Sequence, residues 1–100
     1  MSISKREYLR QKFDNFKKFI EEKTPPDYQT SPDIERFKVM SEEQIITFAI
    51  SHLLPYKNNI DYPTKKLCDM LGLEFENKSI SLVVANYLEL FIKLITYINM

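Results

Sequence analysis

The C-terminal stretch constrains this chain more than any other part of it. From Ile80 to Met100 the only residues that are not apolar are Ser81, Asn86, Glu89, Lys93, Thr96 and Asn99. At about 100° per residue, Asn86, Glu89, Lys93 and Thr96 fall in one arc of roughly 80° on a helical wheel. The remaining circumference is mostly Leu, Ile, Val, Phe and Tyr. The β-branched start (Ile80, Val83, Val84) suits a strand, but the length and the recurrent polar stripe favour a helix. An apolar face of about 200° or more cannot be left in water. Either the rest of the chain covers it or a second chain does.

A bilayer span has about this length. However, Glu89 and Lys93 lie in mid-segment, where each costs roughly 2.5–3.5 kcal/mol to insert. Their i,i+4 spacing suits a surface ion pair, and no basic anchor follows them. The segment is therefore predicted to be a soluble helix with one wet edge, outside any membrane.

The preceding residues supply shorter, well-punctuated helices. Ser4 and Glu7 form a capping box, with Ile3 and Tyr8 at the hydrophobic-staple positions. Leu9, Phe13, Phe16 and Ile20 follow in one stripe, and Thr24-Pro25-Pro26 stops the helix. After a polar connector over 27–31, Ser31-Pro32 opens a short helix that offers Ile34 and Phe37 for burial. Ser41 and Gln44 make a second capping box, stapled by Met40 and Ile45. The helix behind it is predicted to bury Ile45, Ile46, Ala49, Ile50 and Leu53 and to end at Leu54, before Pro55. Residues 56–62 read as loop.

Pro63 opens a fourth helix bearing Leu67, Cys68, Met70 and Leu71, which Gly72 ends as a left-handed residue followed by the apolar Leu73. Asn77 or Ser79 caps the last helix. The Asn77-Lys78-Ser79 triplet also matches a glycosylation acceptor, but a cap explains it better.

One hundred residues with this pattern predict a single helical domain over 1–100. The fold class is all-α: a compact bundle of about five helices, two long at the termini and three shorter, with the apolar C-terminal helix central.

Several function classes lack the residues they need. One glycine in the whole chain leaves no Walker or dinucleotide fingerprint. A single Cys68 and a single His52 cannot make a four-ligand N/S metal set. Cys68 lies beside Leu67 and Leu71 and reads as a small hydrophobe. His52 stands at the edge of an apolar face, a structural position. Glu42/Glu43 and Glu21/Glu22 fall in terminal helical turns, where the first pair complements the helix dipole. No enzymatic activity and no cofactor are expected. The lone cysteine and the polar start of the chain, with no secretory apolar run, point to a reducing, cytoplasmic setting. Abundant Ile, Lys, Asn and Tyr suit an AT-rich phage, virus, plasmid or parasite genome.

What remains is binding. Lys and Arg balance Asp and Glu at 14 each, so no global field draws a polyanion. The first helix does carry a local excess of three positive charges. Arg6, Arg10 and Lys17 share a face that could track phosphates, with Asp14 and Glu21 beside it. Lys65 and Lys66, at a helix start, offer a lesser phosphate contact.

The spacing of the helix over 64–72 and the one after it superficially suits a helix-turn-helix. The link from Gly72 to Asn77 is too long for one, and the next helix is too apolar to read bases. The favoured expectation is a protein–protein interaction module, a homodimer or a subunit of a larger assembly. Tyr87, Leu90, Phe91, Leu94 and Ile98 are its candidate interface. Nucleic-acid binding through Arg6, Arg10 and Lys17 is the alternative. Tyr28, Tyr56 and Tyr62, in the proline-bearing connectors, form a second candidate surface.

Overall fold

The computed structural model describes residues 4–98; Ile3, Asn99 and Met100, which carry a predicted staple and the end of the last helix, lie outside them. The described residues form five α-helices: α1 (Lys5–Lys23), α2 (Pro32–Lys38), α3 (Glu42–Phe48), α4 (Asp61–Leu71) and α5 (Lys78–Ile98). No strand occurs among the described residues.

Each helix begins and ends where local chemistry dictates. Ser4 Oγ accepts the Glu7 N–H at 3.1 Å, and α1 stops at Thr24, which precedes two prolines. Ser31 caps α2 with Pro32 in its first turn. At α3 the box closes in both directions: Gln44 N–H donates to Ser41 Oγ at 3.2 Å and Ser41 N–H to Gln44 Oε1 at 2.8 Å. Asn77 Oδ1 caps α5 by accepting the Ser79 N–H at 3.0 Å.

At the end of α4, Gly72 takes φ +71° and Leu73 N–H donates to Cys68 O at 2.8 Å, which closes the terminal turn. Glycine is needed here for a second reason. A Cβ on Gly72 would come within 2.5 Å of the Tyr28 ring, which lies over the turn. The only glycine in the chain thus admits both the left-handed backbone and a side chain from the first connector.

Two boundaries differ from the sequence pattern. α4 begins at Asp61 rather than Pro63, so Tyr62 is helical. Pro63 falls in the first turn, where its missing N–H breaks no ladder bond. Beyond α3, Ala49–Leu53 forms a wide π turn in which Leu54 N–H donates to Ala49 O. A 3-10 turn over Leu54–Tyr56 ends the segment. Pro55 has no N–H to continue the α pattern, and the helix finishes in these two irregular turns.

Ile50, expected in the core, is 39% exposed. It follows Ala49 by one residue, so it leaves the helix about 100° away from the direction in which Ala49 points inward.

One contiguous core draws on all five helices. α5 packs against α1, α4 and the π turn, which makes it the central element. Val84, Leu88 and Ile95 are fully buried along it. A cluster of rings joins three of the helices within this core. Phe13 and Phe16 meet Phe91 at 5.7 and 5.5 Å and Phe37 at 5.3 and 5.6 Å. Through them α1, α2 and α5 share one set of edge-on and tilted aromatic contacts.

Candidate interaction surfaces

The predicted wet edge of α5 is where the sequence put it: Asn86, Glu89, Lys93 and Thr96 are all exposed. Leu82 joins them at 59% exposure. Glu89 and Lys93, however, do not form the expected ion pair; the four ion pairs among the described residues lie elsewhere. Two long, solvated side chains gain only tenths of a kcal/mol by pairing at i,i+4, too little to fix their rotamers. By length and hydropathy α5 could cross a membrane, with a mean hydropathy of 1.5 in its best window, 44% of which is buried within the fold.

The candidate partner residues divide. Phe91 and Leu94 are covered within the chain, at 2% and 8% exposure. Tyr87, Leu90 and Ile98 are half-buried. Tyr87 stacks on Phe16 of α1 at 4.9 Å.

Placed on the helical wheel, Val83, Tyr87, Leu90 and Ile98 occupy one margin of α5 next to the wet edge, an arc of roughly 80° with the buried Leu94 at its middle. On the opposite margin only Ala85 is half-buried. The wide margin faces α1, which runs antiparallel: Lys5 lies 4.8 Å over the Tyr97 ring while Phe16 meets Tyr87. On the flank of α1 that carries Lys5, the half-buried residues are Tyr8, Lys12 and Phe19. Lys12 lies 5.2 Å over the Tyr8 ring. The α1–α5 pair therefore presents an outer face of half-covered aromatic and aliphatic side chains.

The other flank of α1 is polar and already engaged. Arg6 Nη1 reaches Glu42 at 2.8 Å and Glu43 at 3.1 Å, tying the start of α1 to the start of α3. These carboxylates, Glu42 first, hold the guanidinium above its ordinary pKa. Lys17 pairs with Asp14 at 3.5 Å and donates to Lys38 O at 3.2 Å, which closes over the end of α2. Of the predicted phosphate-tracking row, Arg10 is the member outside these ion pairs. The role of Glu42 and Glu43 as Arg6 partners was not visible in the sequence. Thirty-six residues separate the first pair, and no local spacing encodes it.

Cys68 is fully buried on α4. Burial, helped by Asp69, pushes its thiol up to about 11, which leaves it protonated near neutrality. His52 is exposed and stacks on Phe48 at 5.4 Å. Among the described residues no three His, Cys, Asp or Glu side chains gather as metal ligands.

The three connector tyrosines do not form one surface. Tyr28 covers Gly72, whereas Tyr56 and Tyr62 stack on each other at 4.6 Å beside α4.

In comparisons with known proteins, no family model matches the chain, no curated protein is detectably similar in sequence, and no solved structure matches its fold.

Proposed function

We propose that this chain is a non-enzymatic, intracellular protein–protein interaction module that pairs with a second copy of itself through the outer face of α1 and α5. One observation carries this: most half-buried apolar residues of the two long helices fall on one flank of each, Val83, Tyr87, Leu90 and Ile98 on α5 and Tyr8 and Phe19 on α1, and Lys5 over Tyr97 and Phe16 against Tyr87 bring those helices together. An antiparallel helix pair stacked on its twofold copy makes a four-helix layer, an isologous contact of the commonest kind.

The available area sets the strength. Two helices about 10 Å apart and nearly 30 Å long offer roughly 500–600 Å² of face per chain. Doubled, that lies near the lower bound for a specific interface. A dimer that dissociates in the micromolar range is the natural expectation. Its contacts are apolar, so added salt should not weaken it.

Light scattering across a dilution series tests the proposal. The wild-type mass should fall from twice 12.0 kDa toward the monomer value on dilution. Leu90→Lys, which places a charge on the half-buried face, should be monomeric throughout with an unchanged helical spectrum. A wild-type protein that stays monomeric at millimolar concentration would refute self-association.

A further inference from the structure

Away from the α1–α5 face, a groove of about 360 Å³ runs between α4 and the segment from Phe48 to Tyr56. Its floor is apolar: Leu53, Pro63, Leu67 and the sulfur-bearing Met70. Its walls are aromatic. Phe48 stacks on His52 and Tyr56 on Tyr62, and all four line the groove. Two of these groups are unusually open for their size, Tyr62 at 48% and Met70 at 43% exposure.

The charge around this groove has one sign. Arg36 and Lys66 line it, and no carboxylate does. The adjoining hollow across Lys66 is different, because Asp61 and Asp69 stand there among Lys65 and Lys66 and cancel the field. Arg36 holds Asp33 at 3.0 Å, but its side chain is 78% exposed. An exposed i,i+3 pair of this kind is worth only tenths of a kcal/mol and yields readily to an incoming carboxylate.

We propose that this groove docks an acidic peptide segment of a protein partner, with one large apolar residue seated between Tyr62 and Met70 and its flanking carboxylates on Arg36 and Lys66. The volume matches one or two large side chains, and a soft methionine beside aromatic walls accepts varied apolar shapes. Aromatic and arginine anchors are the residue types that dominate interface energies. A nucleic-acid strand fits less well, because it needs a row of cations along its phosphates and this groove has two. The π turn contributes Ser51, His52 and Leu53 to the lining, and such turns recur where a helix is shaped for binding. The proposal is independent of self-association, since none of these residues lies on the outer face of α1 and α5.

The test is amide NMR titration of the full chain with the hexapeptide Glu-Glu-Leu-Phe-Glu-Glu, its Lys-for-Glu counterpart, and a deoxythymidine hexanucleotide. Shift changes should centre on Phe48, His52, Tyr62, Lys66 and Met70 with the acidic peptide alone. Lys66→Glu and Met70→Glu alter exposed side chains and should fold normally, yet each should weaken binding by about tenfold or more. Light scattering of both variants should match the wild type, whatever its mass. Three results would overturn the proposal: no shifts at millimolar acidic peptide, equal binding of the basic peptide, or tighter binding of the oligonucleotide in the groove.

Discussion

The two long helices solve opposite problems. α1 buries Leu9, Phe13, Phe16 and Ile20, each at 1% exposure or less, and is largely charged elsewhere. Its polar flank is tied down by Arg6 and Lys17. α5 buries seven side chains, including Ser81, and still has a margin of apolar groups that the other helices only half cover. A narrow stripe can be satisfied by one neighbouring layer. A face of about 200° cannot, unless neighbours stand on both sides of it. α5 packs mainly on α1, α4 and the π turn, and its margin stays half-buried all the same.

The contrast between a helix with a narrow buried stripe and one with a wide, incompletely covered face can be broken first at the place where the two meet. Phe16 and Phe91 touch at 5.5 Å and are both buried. Truncating either to alanine removes a ring from the same aromatic cluster and should cost about 3–5 kcal/mol. Urea denaturation should give similar losses for the two. A loss below about 1 kcal/mol at Phe91 would mean that α5 is not packed on α1 as described.

Gly72→Ala probes the turn that delivers the chain from α4 toward α5. The new Cβ would need both φ +71° and displacement of Tyr28. We expect destabilisation of about 1–3 kcal/mol, more than the left-handed backbone alone would cause. Pairing it with Tyr28→Ala separates the two causes. The double variant should recover the steric share of the loss and retain the backbone share, measured by the same denaturation curves.

The caps and buried stripes were legible in the sequence because they are local. Ser41 and Gln44 find each other three residues apart, and Phe13 and Phe16 share a face by helical period alone. The wet edge of α5 was readable for the same reason. What the pattern missed depends on distant chain or on irregular turns. The inward direction of Ala49 left Ile50 outside, and Pro63 fell within a first turn instead of opening the helix. The pairing of Arg6 with Glu42 and Glu43 was hidden because they come from another helix. Of the candidate face, Phe91 and Leu94 are covered within the chain, whereas Tyr87, Leu90 and Ile98, which flank Leu94 on the wheel, are half-buried.

Burial of Cys68 sharpens the account of α4, which backs the well-covered side of α5. Its raised pKa means that the folded chain holds the thiol proton more tightly than the unfolded chain does. The resulting stability is fully present below the unfolded cysteine pKa of roughly 8.5 and is lost as pH rises toward about 11. Thermal melts should therefore show a decline across that alkaline window that Cys68→Ala lacks, after allowing for the small cavity. In the native protein at pH 8, alkylation by iodoacetamide should be slow and should accelerate only in denaturant.

The smallest effect compares charge on the two helices directly. Arg6 contacts two carboxylates of α3, whereas Lys93 on α5 forms none of the observed ion pairs. Because Arg6 and Glu43 are half or more exposed, solvent screens the contact, and Arg6→Ala should lower stability only slightly. Lys93→Ala should fall within about 0.5 kcal/mol of wild type. The ordering matters more than either value, and salt separates them further. Raising ionic strength should shrink the Arg6→Ala difference and leave the Lys93→Ala difference where it was. An Arg6→Ala variant as stable as Lys93→Ala at low salt would mean that the link from α1 to α3 does nothing for the fold. Arg6 would then be available, together with Arg10, to an anionic partner.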